Sequence, residues 1–127
     1  MNYLLDTHTV LWLARNSTKL SEPAKTAIFD MSCRKFVSMA SAWELAVKIS
    51  IGKFRLVGGV AEFFRIIEHN GFIVKDIERK HIILSETLPF HHRDPFDRIL
   101  VCTALAEGFT IISADDQIYK YAVPYIW

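Results

Sequence analysis

Short runs of apolar residues alternate along the chain with longer segments in which apolar residues recur at helical spacing. The short runs predict buried strands, because a strand inside a parallel sheet is apolar on both faces. They lie at residues 3–5, 36–37, 72–74 and 109–112. The spaced segments predict helices at residues 9–14, 21–31, 41–52 and 78–84, a helix from residue 60 that is closed by Asn70-Gly71, and a helix from residue 96 up to Gly108. A short last helix is predicted near residues 117–121.

The alternation of strands with helices predicts an α/β fold. Parallel strands need crossover connections, so helices should cover both faces of a short parallel central sheet and give three layers, α/β/α. A chain of 127 residues with 51% hydrophobic residues has the size and apolar content of one domain with one substantial core. We therefore expect a single domain over residues 1–127.

Composition narrows the functional classes. The charges of the 15 basic and 14 acidic side chains nearly cancel, so any binding to a nucleic acid must depend on a local group of basic residues. Cys33 and Cys102 lie far apart without metal-ligand or redox spacing, which favours free thiols in a reducing, cytoplasmic compartment. No apolar run approaches the roughly 17 residues that a membrane span requires, and we expect a soluble protein.

Carboxylates follow or adjoin the ends of the predicted strands. Asp6 follows the first strand, Asp115 follows the last predicted strand, Glu44 lies in the first turn of the helix after the second strand, and Asp97 opens the penultimate helix. Ligands of an open parallel sheet bind beyond the carboxyl ends of its strands. Several carboxylates at one edge repel one another unless a hard divalent cation such as Mg²⁺ or Mn²⁺ binds them. Such a site suits hydrolysis of a phosphodiester.

Most of these acidic residues also have a purely structural interpretation. Glu44 could complete a capping box with Ser41 or pair with Lys48. Asp94 could cap the helix that begins at Pro95, which would leave Asp97 to interact with the helix dipole, and Asp115 or Asp116 could cap the last short helix. Asp6 is harder to explain structurally, because it interrupts an apolar junction between strand and helix.

Other polar and aromatic residues carry weaker signals. His8, His91 and His92 lack zinc-ligand spacing, so we interpret His8 as a cap or a pocket wall and residues 91–93 as a solvated loop. Some basic side chains are available for local phosphate contacts, although a solvated position is the simpler interpretation for each. They are Lys48, Lys53, Arg55 and Arg98. Aromatic residues on helical stripes, expected in the core or at a subunit interface, are Trp12, Trp43, Phe63 and Phe64.

Four segments of the chain resemble, in order, the acidic motifs of PIN domains. They are Leu-Leu-Asp-Thr-His at residues 4–8, Ser-Ala-Trp-Glu-Leu-Ala-Val-Lys at 41–48, Asp-Pro-Phe-Asp-Arg at 94–98 and Ser-Ala-Asp at 113–115. The resemblance is in particular to bacterial VapC-like toxins of type II toxin-antitoxin modules. It departs from them mildly at Ser113, where many relatives carry threonine.

The resemblance implies a PIN-like fold and a defined activity. It assigns metal-coordinating, catalytic carboxylates to Asp6, Glu44, Asp97 and Asp115. It implies a Mg²⁺- or Mn²⁺-dependent endoribonuclease that acts on RNA, forms a homodimer and is inhibited by a cognate antitoxin. It does not settle whether Asp94 and Asp116 join the site.

Three other functional classes compete with a nuclease. Phosphatases of the haloacid-dehalogenase type also begin with a strand ending in aspartate, but they normally carry a second aspartate where this chain has His8. A receiver domain needs an early acidic pair, and Asp6 stands alone. A PIN-like RNA- or protein-binding module with a silent site is the serious alternative, although the presence of all four carboxylates argues against it.

Overall fold

The computed structural model describes residues 1–127 and contains five strands and six α-helices. The strands are β1 (Asn2–Leu5), β2 (Arg34–Ser38), β3 (Ile73–Lys75), β4 (Thr110–Ile112) and β5 (Tyr125–Ile126). The helices are α1 (Thr7–Ala14), α2 (Glu22–Phe29), α3 (Met39–Ser50), α4 (Gly59–His69), α5 (Arg79–Ser85) and α6 (Pro95–Glu107), and a 3₁₀ turn spans Ile118–Lys120. None of the helices is long and apolar enough to cross a membrane.

All five strands are parallel, in the order β3-β2-β1-β4-β5, so β1 lies at the centre of the sheet. Alternate side chains of β1 point to opposite faces, and each face has its own apolar core. Leu5 joins a core with residues of α1, α2, α3 and α4, whereas Leu4 joins a core built mainly from α6 and the segment that follows β4. The predicted three-layer α/β/α fold with a short parallel sheet is confirmed.

The helix ends follow from side-chain caps. The Ser21 hydroxyl accepts a hydrogen bond from the Ala24 N–H at the start of α2, as expected for serine before a first-turn proline. Asp94 caps α6 in the same way, ahead of Pro95. α6 ends at Gly108, whose φ of 72° is a left-handed conformation that glycine adopts at low cost.

Two local predictions were wrong. α3 begins at Met39 because Ser38, and not Ser41, caps it by accepting from the Ala40 N–H. The Ser41 hydroxyl is buried without a hydrogen-bond partner, so the expected capping box with Glu44 does not form. Glu44 consequently lies in the second turn of α3 rather than the first. β5 was not expected at all; it is a two-residue edge strand beside β4.

Candidate functional site

A cleft opens at the carboxyl-terminal edge of the sheet, with a volume of about 370 Å³. All four carboxylates predicted for the site line it, although they come from four separate parts of the chain. The lining residues are Asp6, Thr7, His8, Trp12, Glu44, Lys48, Asp94, Asp97, Ala114 and Asp115. Asp116 is exposed and contacts only the Gln117 side chain, so it does not face this candidate cleft.

Asp6 accepts more hydrogen bonds than any other carboxylate of the cleft. It is 6% exposed, and its Oδ1 accepts hydrogen bonds from the Thr9 N–H at 2.8 Å and the Thr9 hydroxyl at 2.7 Å. Its Oδ2 accepts from the Ser113 hydroxyl. Burial raises the pKa of Asp6, and the hydrogen bonds from Ser113 and Thr9 oppose that rise. The side chain caps α1 and still has a lone pair on Oδ2 available toward the cleft.

Glu44 is also buried, at 4% exposure. Its Oε1 accepts from the Thr7 hydroxyl and its Oε2 from the Lys48 ammonium, both at 2.8 Å. The hydrogen bond that Lys48 donates to Glu44 is the main cause of the raised pKa of Lys48. The i,i+4 pair proposed as the structural interpretation therefore exists, and it lies inside the cleft.

Asp94 and Asp97 stand together at the start of α6. The Asp94 Oδ1 accepts from the N–H groups of Phe96 at 2.8 Å and Asp97 at 3.3 Å, which confirms its capping role while it still lines the cleft. The pKa of Asp97 is raised from 3.8 to about 7, first by burial and next by the nearby charge of Asp94. Glu44 and Asp115 raise the pKa further, and only His92 lowers it.

Asp115 lies in the loop after β4, where both of its carboxylate oxygens are engaged. Oδ1 accepts from the Gln117 N–H at 2.9 Å, and Oδ2 lies 2.7 Å from His92 Nε2. The Asp115 N–H in turn donates to the Ser113 hydroxyl at 3.0 Å, so the same hydroxyl links Asp115 to Asp6.

The prediction of a solvated loop at residues 91–93 was wrong for His92. Its side chain is 14% exposed and its Nε2 lies 3.2 Å from Asp97 as well as 2.7 Å from Asp115. The loop is held because the Tyr121 hydroxyl accepts from the His92 N–H at 2.9 Å. The only sequence signal for this residue was its position two residues before Asp94.

Arg98 was expected at the surface or on a phosphate, and neither interpretation describes its position. It is 7% exposed and has no carboxylate partner. Its guanidinium donates to four backbone carbonyls and stacks over the Phe90 ring at 3.9 Å. The carbonyls belong to Ser85, Leu88, Pro89 and His92. Arg98 therefore organises the loop that carries His92 to the cleft.

The remaining predicted residues divide between cleft, core and surface. His8 and Trp12 line the cleft, and Trp12 packs on Trp127 with ring centroids 5.5 Å apart. Phe63 is in the core as expected, whereas Trp43 is 59% exposed. Lys53 and Arg55 are exposed and outside the cleft.

The cleft fits a hard divalent cation. Five carboxylates line it against a single lysine, and the charges of Asp94, Glu44 and Asp115 add to the effect of burial in raising the pKa of Asp97. Carboxylate oxygens are the ligands that Mg²⁺ and Mn²⁺ prefer. Ligand atoms of His92, Asp97 and Asp115 lie within 4.8 Å of one another.

A second acidic cluster, at Glu78, His81 and Glu107, differs in its charge balance. Lys75 and Lys80 both pair with Glu107, at 3.6 Å and 2.8 Å, and Lys75 also pairs with Glu78. Hydrogen bonds from Lys80 and His81 lower the pKa of Glu107 to about 2. Two lysines already neutralise this cluster, and we interpret it as structural.

Comparison with known proteins identifies the family. The family model of the PIN domain matches residues 3–124. The chain belongs to the PIN domain family. The PIN fold of this chain is shared by several solved complexes at low sequence identity, whereas no curated protein sequence matches it.

Three of the solved structures show the extent of that likeness. A chain of VapBC2 from Rickettsia felis, bound to a promoter DNA fragment, is 14% identical with a TM-score of 0.73, covering 98% of this PIN domain and 97% of that chain. A chain of VapBC-1 from nontypeable Haemophilus influenzae is 17% identical with a TM-score of 0.70, covering 98% and 96%. A chain of FitAcB from Neisseria gonorrhoeae is 12% identical with a TM-score of 0.65, covering 97% and 95%.

Proposed function

We propose that this PIN domain is a metal-dependent endoribonuclease and the toxin of a type II toxin-antitoxin module. One observation carries the proposal: four carboxylates, from the junction of β1 and α1, from α3, from α6 and from the loop after β4, line one cleft at the edge of the sheet. The solved structures with this fold include VapBC and toxin-antitoxin complexes, which supports the assignment of the module. We treat residues 1–127 as a single domain that works in the cytoplasm, in keeping with its two free cysteines.

Asp6, Glu44, Asp97 and Asp115 would hold Mg²⁺ or Mn²⁺. When bound, the ion supplies a water of lowered pKa for attack on the phosphodiester and stabilises developing negative charge. The protein fixes its carboxylates in advance, because the Asp6 oxygens are held by Thr9 and Ser113. Little rearrangement of these side chains is then needed before catalysis.

The decisive experiment is cleavage of total RNA by the purified protein with Mg²⁺ or Mn²⁺ and with excess EDTA. We expect cleavage only with metal, and loss of cleavage in Asp6→Asn and Asp97→Asn. Asp116→Asn is the matched control, because that acid is exposed and outside the cleft. Undiminished cleavage in EDTA would exclude the metal mechanism. No cleavage with either metal would favour the alternative, a catalytically silent PIN-like RNA- or protein-binding module.

The proposed partners are RNA, a cognate antitoxin and a second copy of the chain. Exposed apolar side chains beside the cleft offer surface for such contacts, and they include Trp43, Ile82 and Phe90. Trp12, which we expected on such a surface, lines the cleft. A monomer at tens of micromolar in sedimentation, with no small protein co-purifying from the native operon, would contradict the homodimer and the antitoxin.

A further inference from the structure

His92 is held at its backbone and at both ring nitrogens. Its N–H donates to the Tyr121 hydroxyl at 2.9 Å, and its carbonyl accepts from Arg98 at 3.3 Å. Its Nδ1 accepts from the Asp94 N–H at 3.1 Å, and its Nε2 lies 2.7 Å from Asp115 Oδ2. The ring therefore has one orientation relative to the cleft.

These contacts assign the tautomer of the ring. A nitrogen that accepts from a backbone N–H carries no proton, so Nδ1 is the acceptor and the hydrogen lies on Nε2. Nε2 then donates to Asp115 Oδ2, and Asp97 Oδ2 lies 3.2 Å from the same nitrogen. A nitrogen that carries a hydrogen has no lone pair in the ring plane for a metal ion.

The two acids depend on this donor to different degrees. Asp115 has one further restraint, because its other oxygen accepts from the Gln117 N–H. Asp97 has none: His92 is the only lysine, arginine or histidine with a nitrogen within 4.0 Å of its carboxylate. His92 Nε2 thus lies in direct contact with a carboxylate oxygen of both acids.

We propose that His92 is a positioning residue of the metal site, an N–H donor that orients Asp97 and Asp115 and does not itself bind the ion. This inference rests on the proposed function, because it assigns a role within the same metal site. It separates His92 from two other roles that the cluster of His92, Asp97 and Asp115 would allow. Those roles are a third metal ligand and a staple that only holds the loop through Asp94.

Two substitutions test the roles of the two ring nitrogens separately. Glutamine places an amide N–H₂ roughly where the imidazole has Nε2, so His92→Gln retains the donor to the acids. Asparagine places a carbonyl roughly where the imidazole has Nδ1, so His92→Asn retains the acceptor for the Asp94 N–H and loses the donor. Thermal melts of both variants establish that each is folded before the comparison is made.

The primary measurement is Mn²⁺ affinity by titration calorimetry, which does not depend on RNA cleavage. We expect His92→Asn to weaken Mn²⁺ binding by about 10- to 100-fold, the usual effect of removing a group that orients a metal ligand. His92→Gln should bind within about threefold of wild type. An Asn variant that binds like wild type would overturn the inference, and so would a Gln variant that binds as weakly as the Asn variant.

The second measurement is a ¹H–¹⁵N spectrum of the imidazole, with and without diamagnetic Mg²⁺. We expect the Nε2–H tautomer in both states. A change to the Nδ1–H tautomer on adding Mg²⁺ would make His92 a ligand and overturn the proposal. Wild-type protein that binds Mn²⁺ but cleaves no RNA would refute the nuclease and leave the role of His92 intact, whereas protein that binds no metal would refute both.

Discussion

Asp97→Asn should stabilise the metal-free protein at neutral pH while removing its activity. The pKa of Asp97 rises from 3.8 to about 7 in the folded protein, chiefly through burial. A raised folded-state pKa gives a contribution to stability that is complete below pH 3.8 and is lost as the pH rises through about 7. The metal-free wild type should therefore lose stability between pH 4 and pH 8, and the asparagine variant should lose less, because only Asp6 among the cleft acids with a raised pKa then remains.

The magnitude follows from the same pKa values. A rise of about three pH units at about 1.4 kcal/mol each sets an upper limit of about 4 kcal/mol above pH 7. The substitution also removes a charge from the first turn of α6, which costs about 0.3–1 kcal/mol. It weakens the contact with His92 by about 1 kcal/mol. A net gain of at most about 2 kcal/mol remains, which corresponds to a rise in melting temperature of at most about 5–10 °C.

Thermal melts of wild type, Asp97→Asn and the exposed control Asp116→Asn decide the matter, each at pH 5 and pH 8 in EDTA and in millimolar Mn²⁺. Metal that binds only the folded state stabilises it by mass action. Wild type should gain more from Mn²⁺ than Asp97→Asn does, and Asp116→Asn should follow wild type. If Asp97→Asn melts below wild type in EDTA at pH 8 and responds equally to Mn²⁺, Asp97 is a partner of the helix dipole and not a ligand.

Three further predictions concern the frame around the site. Arg98→Met should lower the free energy of unfolding by at least about 2 kcal/mol in urea titrations, because buried carbonyls lose their donor; the exposed control Arg93→Met should change it little. Glu107 has a lowered pKa, so its contribution is present above pH 4.5 and lost as the pH falls toward 2, and Glu107→Gln should flatten the acid side of a melting-temperature profile. Gly108→Ala should lower the free energy of unfolding by about 1 kcal/mol in the same urea titration, because alanine is strained at a φ of 72°. No atom lies within 4 Å of the added Cβ, so a steric clash does not contribute. An unchanged free energy of unfolding would refute the explanation from backbone strain.

The strands and helices that the sequence predicted correctly are those with a local signal. The apolar runs that became β1 and β4, and the Ser21 and Asp94 caps, needed no tertiary information. β5 is two residues long and is defined only by pairing with β4, so no periodicity could reveal it. The sequence predicted a helix start at Ser41, but Ser38, three residues earlier, is the cap, while Ser41 is buried in the packed structure.

The residues of the candidate site also include some that the sequence predicted and some that it did not. The sequence predicted four carboxylates at the strand ends, and the structure brings all four to one cleft. His92 could not be predicted, because its position depends on Tyr121, 29 residues away, and on the buried Arg98. A histidine in a polar loop has no local feature that distinguishes a fixed donor from a solvated side chain.

The central position of β1 has a consequence for how the protein is made. β1 is synthesised long before β4, which is one of its two neighbours, and Asp6 is held by Ser113, 107 residues later. Until that region leaves the ribosome, β1 has an open edge and Asp115 is absent, so neither the sheet nor the four-carboxylate cleft can be complete. Contacts of such long sequence separation form late and slowly. A growing chain of this protein would therefore complete the four-carboxylate cleft only after β4 and Asp115 have been synthesised.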